Sequence, residues 1–130
     1  MRSIGTAVLI TAVLVMYACG GDYSVRLPGG YALTRVHAGA VVIHHPEKGI
    51  VVDANIDGYK VLGDIVVGHV IMADRTPDNA YSKPGYFFVI TKTHEVKQGL
   101  GKKAWIESLQ KLGISSEPNL SKPSPFDRDY

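Results

Sequence analysis

Cysteine is almost missing from this chain: among 130 residues Cys19 alone carries a thiol, so no disulfide can staple the fold from within and packing must hold it together. Charge of one sign is missing too. Fourteen Lys and Arg stand against 12 Asp and Glu, a balance that offers no electrostatic footprint for nucleic acid. No G-x-S-x-G elbow occurs and no serine lies in a motif that needs an activated hydroxyl. No internal repeat is visible. Long hydrophobic runs are also lacking, apart from an uncharged stretch of thirteen residues from Ile4 to Met16. It is too short to span a bilayer comfortably but suits the apolar region of an export signal.

What is present at the N-terminus completes that reading. Arg2 supplies the positive charge that precedes such a region, and "YACGGD" closes it with a small residue, Ala18, followed by Cys19. The arrangement resembles the lipobox of bacterial lipoproteins. That resemblance implies cleavage before Cys19 and acylation of its thiol. It also implies an anchor in the cell envelope, on the outer membrane facing the periplasm, because Gly20 rather than Asp follows the cysteine. Each buried methylene contributes about 0.8 kcal/mol, so two or three acyl chains hold a protein on a membrane stably. The expected organisation is a lipoprotein signal peptide at 1–18, an acylated N-terminus and linker at 19–30, an α+β domain at 31–114 and a flexible tail at 115–130. The mature 112 residues suffice for one modest core.

Along the mature chain, "YALTRVHAGAVVIHH" holds two β-rich runs, Tyr31 to His37 and Ala40 to His45, separated by Ala38 and Gly39. "PEKG" reads as a turn. "YKVLGDIVVGHVIMAD" has Ile65, Val67 and Ile71 on one face and Val66, Val70 and Met72 on the other, the mark of a central strand covered on both sides. "RTPDNAYSKPG" is the longest internal loop, "YFFVITK" a strong strand, and "THEVKQG" returns through a short final one. The period then becomes helical: Trp105, Ile106, Leu109 and Leu112 form one apolar stripe from Lys102 onward, and Gly113 stops the helix. "SSEPNLSKPSPFDRDY" is rich in Pro and Ser with little apolar context, and so reads as a tail. The expected fold class is α+β, with a small antiparallel β-sheet packed against one C-terminal α-helix.

The segment "DANIDGYKVLGD" has the spelling of an acidic calcium loop, with Asp53, Asn55, Asp57 and Asp64 as oxygen donors. Its flanks are β-rich and glycine-broken where a hand-like site needs helices. Strand alternation explains the spelling instead: Val52, Ala54 and Ile56 would face the core, Asp53, Asn55 and Asp57 water, and Asp57-Gly58 would turn the chain. Five histidines invite zinc, but His44 and His45 are adjacent and point to opposite faces of a strand. His37 with one of them and Glu47 is the only conceivable ligand set. Glu47, Asp53 and Glu95 are the carboxylates that sugar hydrolysis near a cell wall would require.

Among the aromatic residues Tyr31, Tyr59, Tyr81, Tyr86, Phe87, Phe88 and Trp105, the phenylalanines and the tryptophan belong to core positions. Tyr81, in the Pro-rich loop, is the exposed anchor, with Arg75 and Lys83 as charged neighbours. The pattern "LPGGYAL", "IDGYKVLGDIVVG", "YFFVITKTHEV" and "GLGKKAWIESLQKLGI" resembles a loose set of small bacterial lipoproteins carrying an uncharacterised domain, over most of residues 23 to 114. The resemblance implies an envelope location and an α+β domain. Small lipoproteins of this sort include immunity proteins and inhibitors, which implies a non-catalytic binding or inhibitory module with a protein partner, needing no cofactor. A calcium-stabilised structural module and a small cell-wall hydrolase are the alternatives.

Overall fold

The computed structural model describes residues 22–37, 40–71 and 83–130. The elements are β1 (Tyr23–Arg26), a single 3-10 turn (Pro28–Gly30), β2 (Ala32–His37), β3 (Ala40–His45), β4 (Gly49–Val52), β5 (Ile56–Leu62), β6 (Ile65–Val70), β7 (Gly85–Ile90), β8 (Glu95–Leu100) and α1 (Lys102–Lys111). The fold is α+β, but the strands form two antiparallel four-stranded sheets rather than one, β1-β2-β3-β4 and β5-β6-β7-β8. The chain changes sheet at residues 53–55. Polar side chains take over the backbone there: Asp53 Oδ1 accepts the Ala54 N–H at 2.7 Å and Asn55 Oδ1 accepts the Val41 N–H at 3.1 Å. Such bonds compete with a strand ladder, so the expected continuous strand through "DANID" is broken. Nor does Asp57-Gly58 make a turn. Both residues lie in β5, whose register against β6 shifts between Ile56 and Gly58, a β-bulge.

One apolar core lies between the sheets, where Val25, Leu33, Ile43 and Val52 of the first meet Ile56, Tyr59, Val66, Val70, Phe87 and Val89 of the second. A smaller cluster lies on the other face of the second sheet, where Val67 and Phe88 pack against Trp105 and Leu109 of α1. Strand β6 therefore sends Val66 and Val70 one way and Ile65 and Val67 the other, as its apolar alternation requires. Position 68, paired with Phe87, admits only glycine, because a Cβ there would come within 2.5 Å of the Phe87 ring and the Gly58 carbonyl oxygen. Helix α1 buries Trp105 and Leu109, whereas Leu112 is 37% exposed despite its place in the apolar stripe. The Trp105 indole N–H donates to the Phe87 carbonyl at 3.0 Å, and its ring stacks on Tyr86.

The two open sides of the sandwich are closed differently. On one, the Gln98 side chain of β8 donates to the Val51 carbonyl of β4 at 3.0 Å. On the other, residues 115–130 form a strap. These were expected to be a flexible tail, yet Pro118 is buried, Leu120 packs with the α1 cluster, and Ser121 exchanges two backbone hydrogen bonds of 3.0 Å with Tyr59 on β5. Farther along, the Arg26 N–H of β1 donates to Asp129 Oδ1 and the Tyr130 N–H donates to the Arg26 carbonyl. The prolines that suggested disorder keep the segment extended and non-helical, which suits a chain laid along sheet edges. Strand β1 likewise begins inside what was expected to be linker.

Candidate functional site

The end of the sandwich beyond the Arg26 end of β1 gathers three polar rings. Tyr31 enters β2 from the "LPGG" turn, His45 ends β3, and His94 sits in the β7–β8 connection. The ring centroids lie 4.8 Å (Tyr31–His45), 5.7 Å (Tyr31–His94) and 5.5 Å (His45–His94) apart. The backbone is bent to bring them together. Gly29 and Gly30 have φ of 73° and 84°, and His94 adopts φ of 65°, which is rare for a residue with a Cβ. Gly29 lies so close to Thr91 that a Cβ would come within 2.9 Å of the threonine's own, and Thr91 is pinned by N–H and O–H bonds to the Asp64 carbonyl.

Hydrogen bonds set the protons in this cluster. Burial leaves Tyr31 2% exposed and pushes its phenol above the usual tyrosine range, and its hydroxyl shares a hydrogen bond of 2.6 Å with His94 Nδ1, whose direction follows the His94 tautomer. His45 Nδ1 accepts the Glu47 N–H at 3.2 Å. With Nδ1 as the acceptor, an uncharged His45 ring holds its proton on Nε2. His45 thus offers an Nε2–H donor beside the fixed ring of His94, chemistry that suits carboxylate or carbonyl oxygens.

Other polar groups form local pairs. On the first sheet, Ser24 Oγ, Thr34 Oγ1 and His44 Nε2 make a cross-strand line with spacings of 3.0 and 2.8 Å. On the second, Asp57 Oδ1 meets His69 Nδ1 at 2.8 Å, and His69 packs edge-on against Tyr86. Along the strap, the Tyr59 hydroxyl donates to Asp127 Oδ2 at 2.6 Å. Burial, followed by the bond to Asp127 and its charge, pushes the Tyr59 phenol well above the usual range. Two open grooves flank the strap. One, of about 590 Å³, is lined by Tyr59, Lys60, Phe126, Arg128 and Tyr130; the other, of about 600 Å³, by Tyr23, Arg35, Asn55, Ile71, Lys122 and Pro125.

The residues singled out from sequence are scattered. Cys19, Arg75 and Tyr81 lie outside the described residues, as does the side chain of His37, while Lys83 is exposed. The calcium donors diverge: Asp53 and Asn55 bond backbone amides, Asp57 pairs with His69, and Asp64 meets Lys92 at 3.2 Å. Extended β5 keeps Asp57 and Asp64 on the order of 15 Å apart. His44 and His45 separate to Thr34 and to the ring cluster, and among the described residues no three His, Cys, Asp or Glu side chains converge as a metal site. Glu47 and Glu95 are exposed and Asp53 is half-buried. Sequence reasoning missed the pairing of His94 with Tyr31. Its one signal was "PGG" before Tyr31, which announces a sharp turn without saying what the turn approaches. Comparisons with known proteins found no match to this chain among family models, curated proteins or solved structures.

Proposed function

We propose that the chain is a lipid-anchored protein of the bacterial cell envelope that acts as a non-catalytic binding or inhibitory module, capturing a protein partner. The observation that carries the binding role is the pair of histidines at the Tyr31 end of the sandwich. Their rings are held by hydrogen bonds and by a left-handed backbone at His94, and sparsely populated backbone angles cluster at ligand clamps. A preset Nε2–H donor on His45, beside a His94 ring held in place, recognises acceptor groups without first having to order itself, which lowers the cost of association. Acidic side chains or exposed main-chain carbonyls on the partner are the matching chemistry. The anchoring role rests on Cys19 at the end of an uncharged apolar run, and the loop bearing Arg75, Tyr81 and Lys83 supplies a second proposed contact.

Two measurements test this. Fatty-acid labelling in the native host should mark the parent and spare Cys19→Ser, which should accumulate as a larger precursor; label retained on the variant refutes the anchor. For binding, a soluble domain starting after Cys19 is used to capture partners from envelope extract. Affinity for the captured protein is then compared for the parent, for His45→Ala with His94→Ala, and for Arg75→Ala with Tyr81→Ala. Loss of the histidine pair should weaken capture at least tenfold in a protein that still melts cooperatively. Capture no better than with a scrambled surface, or unaffected by either double variant, sinks the binding role.

A further inference from the structure

Phe126 is 91% exposed, more than any other large hydrophobic side chain among the described residues. Singly exposed apolar residues are ordinary, but this ring is presented by a closed turn. Ser124 N–H donates to Asp127 Oδ2 at 3.1 Å, Asp127 N–H to the Ser124 carbonyl at 3.1 Å, and Phe126 N–H to Ser124 Oγ at 3.2 Å. Asp127 is in turn tied to Tyr59 of β5. A second ring, Tyr130, is 59% exposed and is fixed by its N–H to the Arg26 carbonyl of β1. Both rings line the same groove. The strap thus holds two aromatic side chains in water on a backbone that fastens both sheets.

The position of the strap says what covers them. Tyr23, the first residue of β1, lines the second groove together with Pro123 and Pro125, next to Phe126. Only four residue steps separate Cys19 from Tyr23, and a fully extended chain covers at most about 14 Å in four steps. Acyl chains on Cys19 therefore bring the bilayer surface to the side of the molecule where the strap lies. Charge there is nearly balanced: Arg35, Lys60, Lys122 and Arg128 line the two grooves against Asp57, Asp127 and Asp129. The attraction is then not to anionic headgroups. Aromatic rings with a polar neighbour favour the boundary between headgroups and acyl chains.

We propose that this strap edge rests on the lipid surface to which Cys19 tethers the chain, with Phe126 and Tyr130 immersed in the headgroup boundary. The inference builds on the anchor reading and gives it a direction. The tether supplies a high effective concentration, so two rings that would bind a membrane weakly by themselves suffice to orient an attached domain. Strands β4 and β8, on the opposite side of the sandwich, then point away from the bilayer.

The test replaces biological acylation by chemistry, so its failure is separate from failure of the lipoprotein reading. Cys19 is the only thiol, and residues 19–130 can be coupled through it to a maleimide lipid in phosphatidylcholine vesicles, with or without brominated acyl chains. Two variants carry a reporter: Phe126→Trp on the strap and Glu47→Trp in the exposed β3–β4 turn. The signal of Trp105, buried at 1% exposure, is subtracted using the parent. Fluorescence at position 126 should shift to the blue and fall at least twofold on brominated vesicles, while position 47 changes in neither respect. Adding anionic lipid or salt should alter the quenching by less than a third. Absence of quenching at 126, equal quenching at both positions, or quenching that requires anionic lipid overturns the proposal. So does a 126 reporter that stays unquenched on lipid yet becomes shielded by an added envelope protein, which would assign the rings to a protein interface.

Discussion

His94 carries its imidazole on a backbone with φ of 65°, a conformation that costs a residue with a Cβ of order 1 kcal/mol or more. Glycine meets no such penalty. The hydrogen bond to Tyr31 offsets the strain, since a bond to a buried hydroxyl contributes about 1 kcal/mol and its loss leaves the phenol without that partner. The two effects separate in a pair of variants. His94→Ala keeps the strain and loses the bond; His94→Gly loses both. The glycine variant should therefore be more stable than the alanine variant by about 1 kcal/mol in urea unfolding, and close to the parent. An alanine variant as stable as the glycine one would show that no strain is held there, and would remove one support for reading this end as a preset site.

At the scale of elements, the strap's hold on β5 can be read through one phenol. Tyr59 is 4% exposed, and burial, then its bond to Asp127, raises its pKa above the ordinary value of 10.0. The folded chain keeps a proton that the unfolded chain gives up above pH 10, so this contribution is intact below that pH and is lost as pH climbs beyond it. The slope for one such group reaches about 1.4 kcal/mol per pH unit. Urea unfolding between pH 9 and 11.5 should show stability falling with pH, and Tyr59→Phe should make the fall shallower by up to that slope. It should not abolish the fall, because burial also raises Tyr31. An unchanged slope in Tyr59→Phe would mean that the strap does not bury this phenol in solution. Elements set by hydrophobic period were legible in the sequence: β6, apolar on both faces, is central, and the Trp105 and Leu109 stripe packs on the sheet. Elements set by side-chain bonds to distant backbone were not. Nothing local in "DANID" announces that Asn55 will bond Val41 and break the strand, and nothing in the proline-rich C-terminal segment announces Tyr59 and Arg26 as its partners. The ring cluster was hidden for the same reason, since residues 31, 45 and 94 meet only after the two sheets stack.

For the whole molecule, the strap solves a problem that the two-sheet architecture creates. Two four-stranded sheets have four edges, and unpaired N–H and C=O groups on such edges invite pairing with other chains. Gln98 bridges β8 to β4, and the strap covers parts of β1 and β5 through Arg26 and Tyr59. Removing the strap would uncover Tyr59, the inter-sheet core beneath it and two strand edges on the same side. A chain ending at Glu117 keeps all of β1 to β8 and α1, so it should still fold. It gives up the buried Pro118, the partly buried Leu120, and the bonds to Tyr59 and Arg26. Five hydrogen bonds and the partial burial of one leucine go with the strap, each a net stabilising contribution. The truncated protein should melt at lower temperature and should self-associate as its concentration rises, more than the chain with its strap intact, a difference that light scattering during chromatography detects. A truncated chain that remains monomeric at millimolar concentration with an unchanged melting temperature would show that β1 and β5 need no cover, leaving membrane contact as the strap's remaining role.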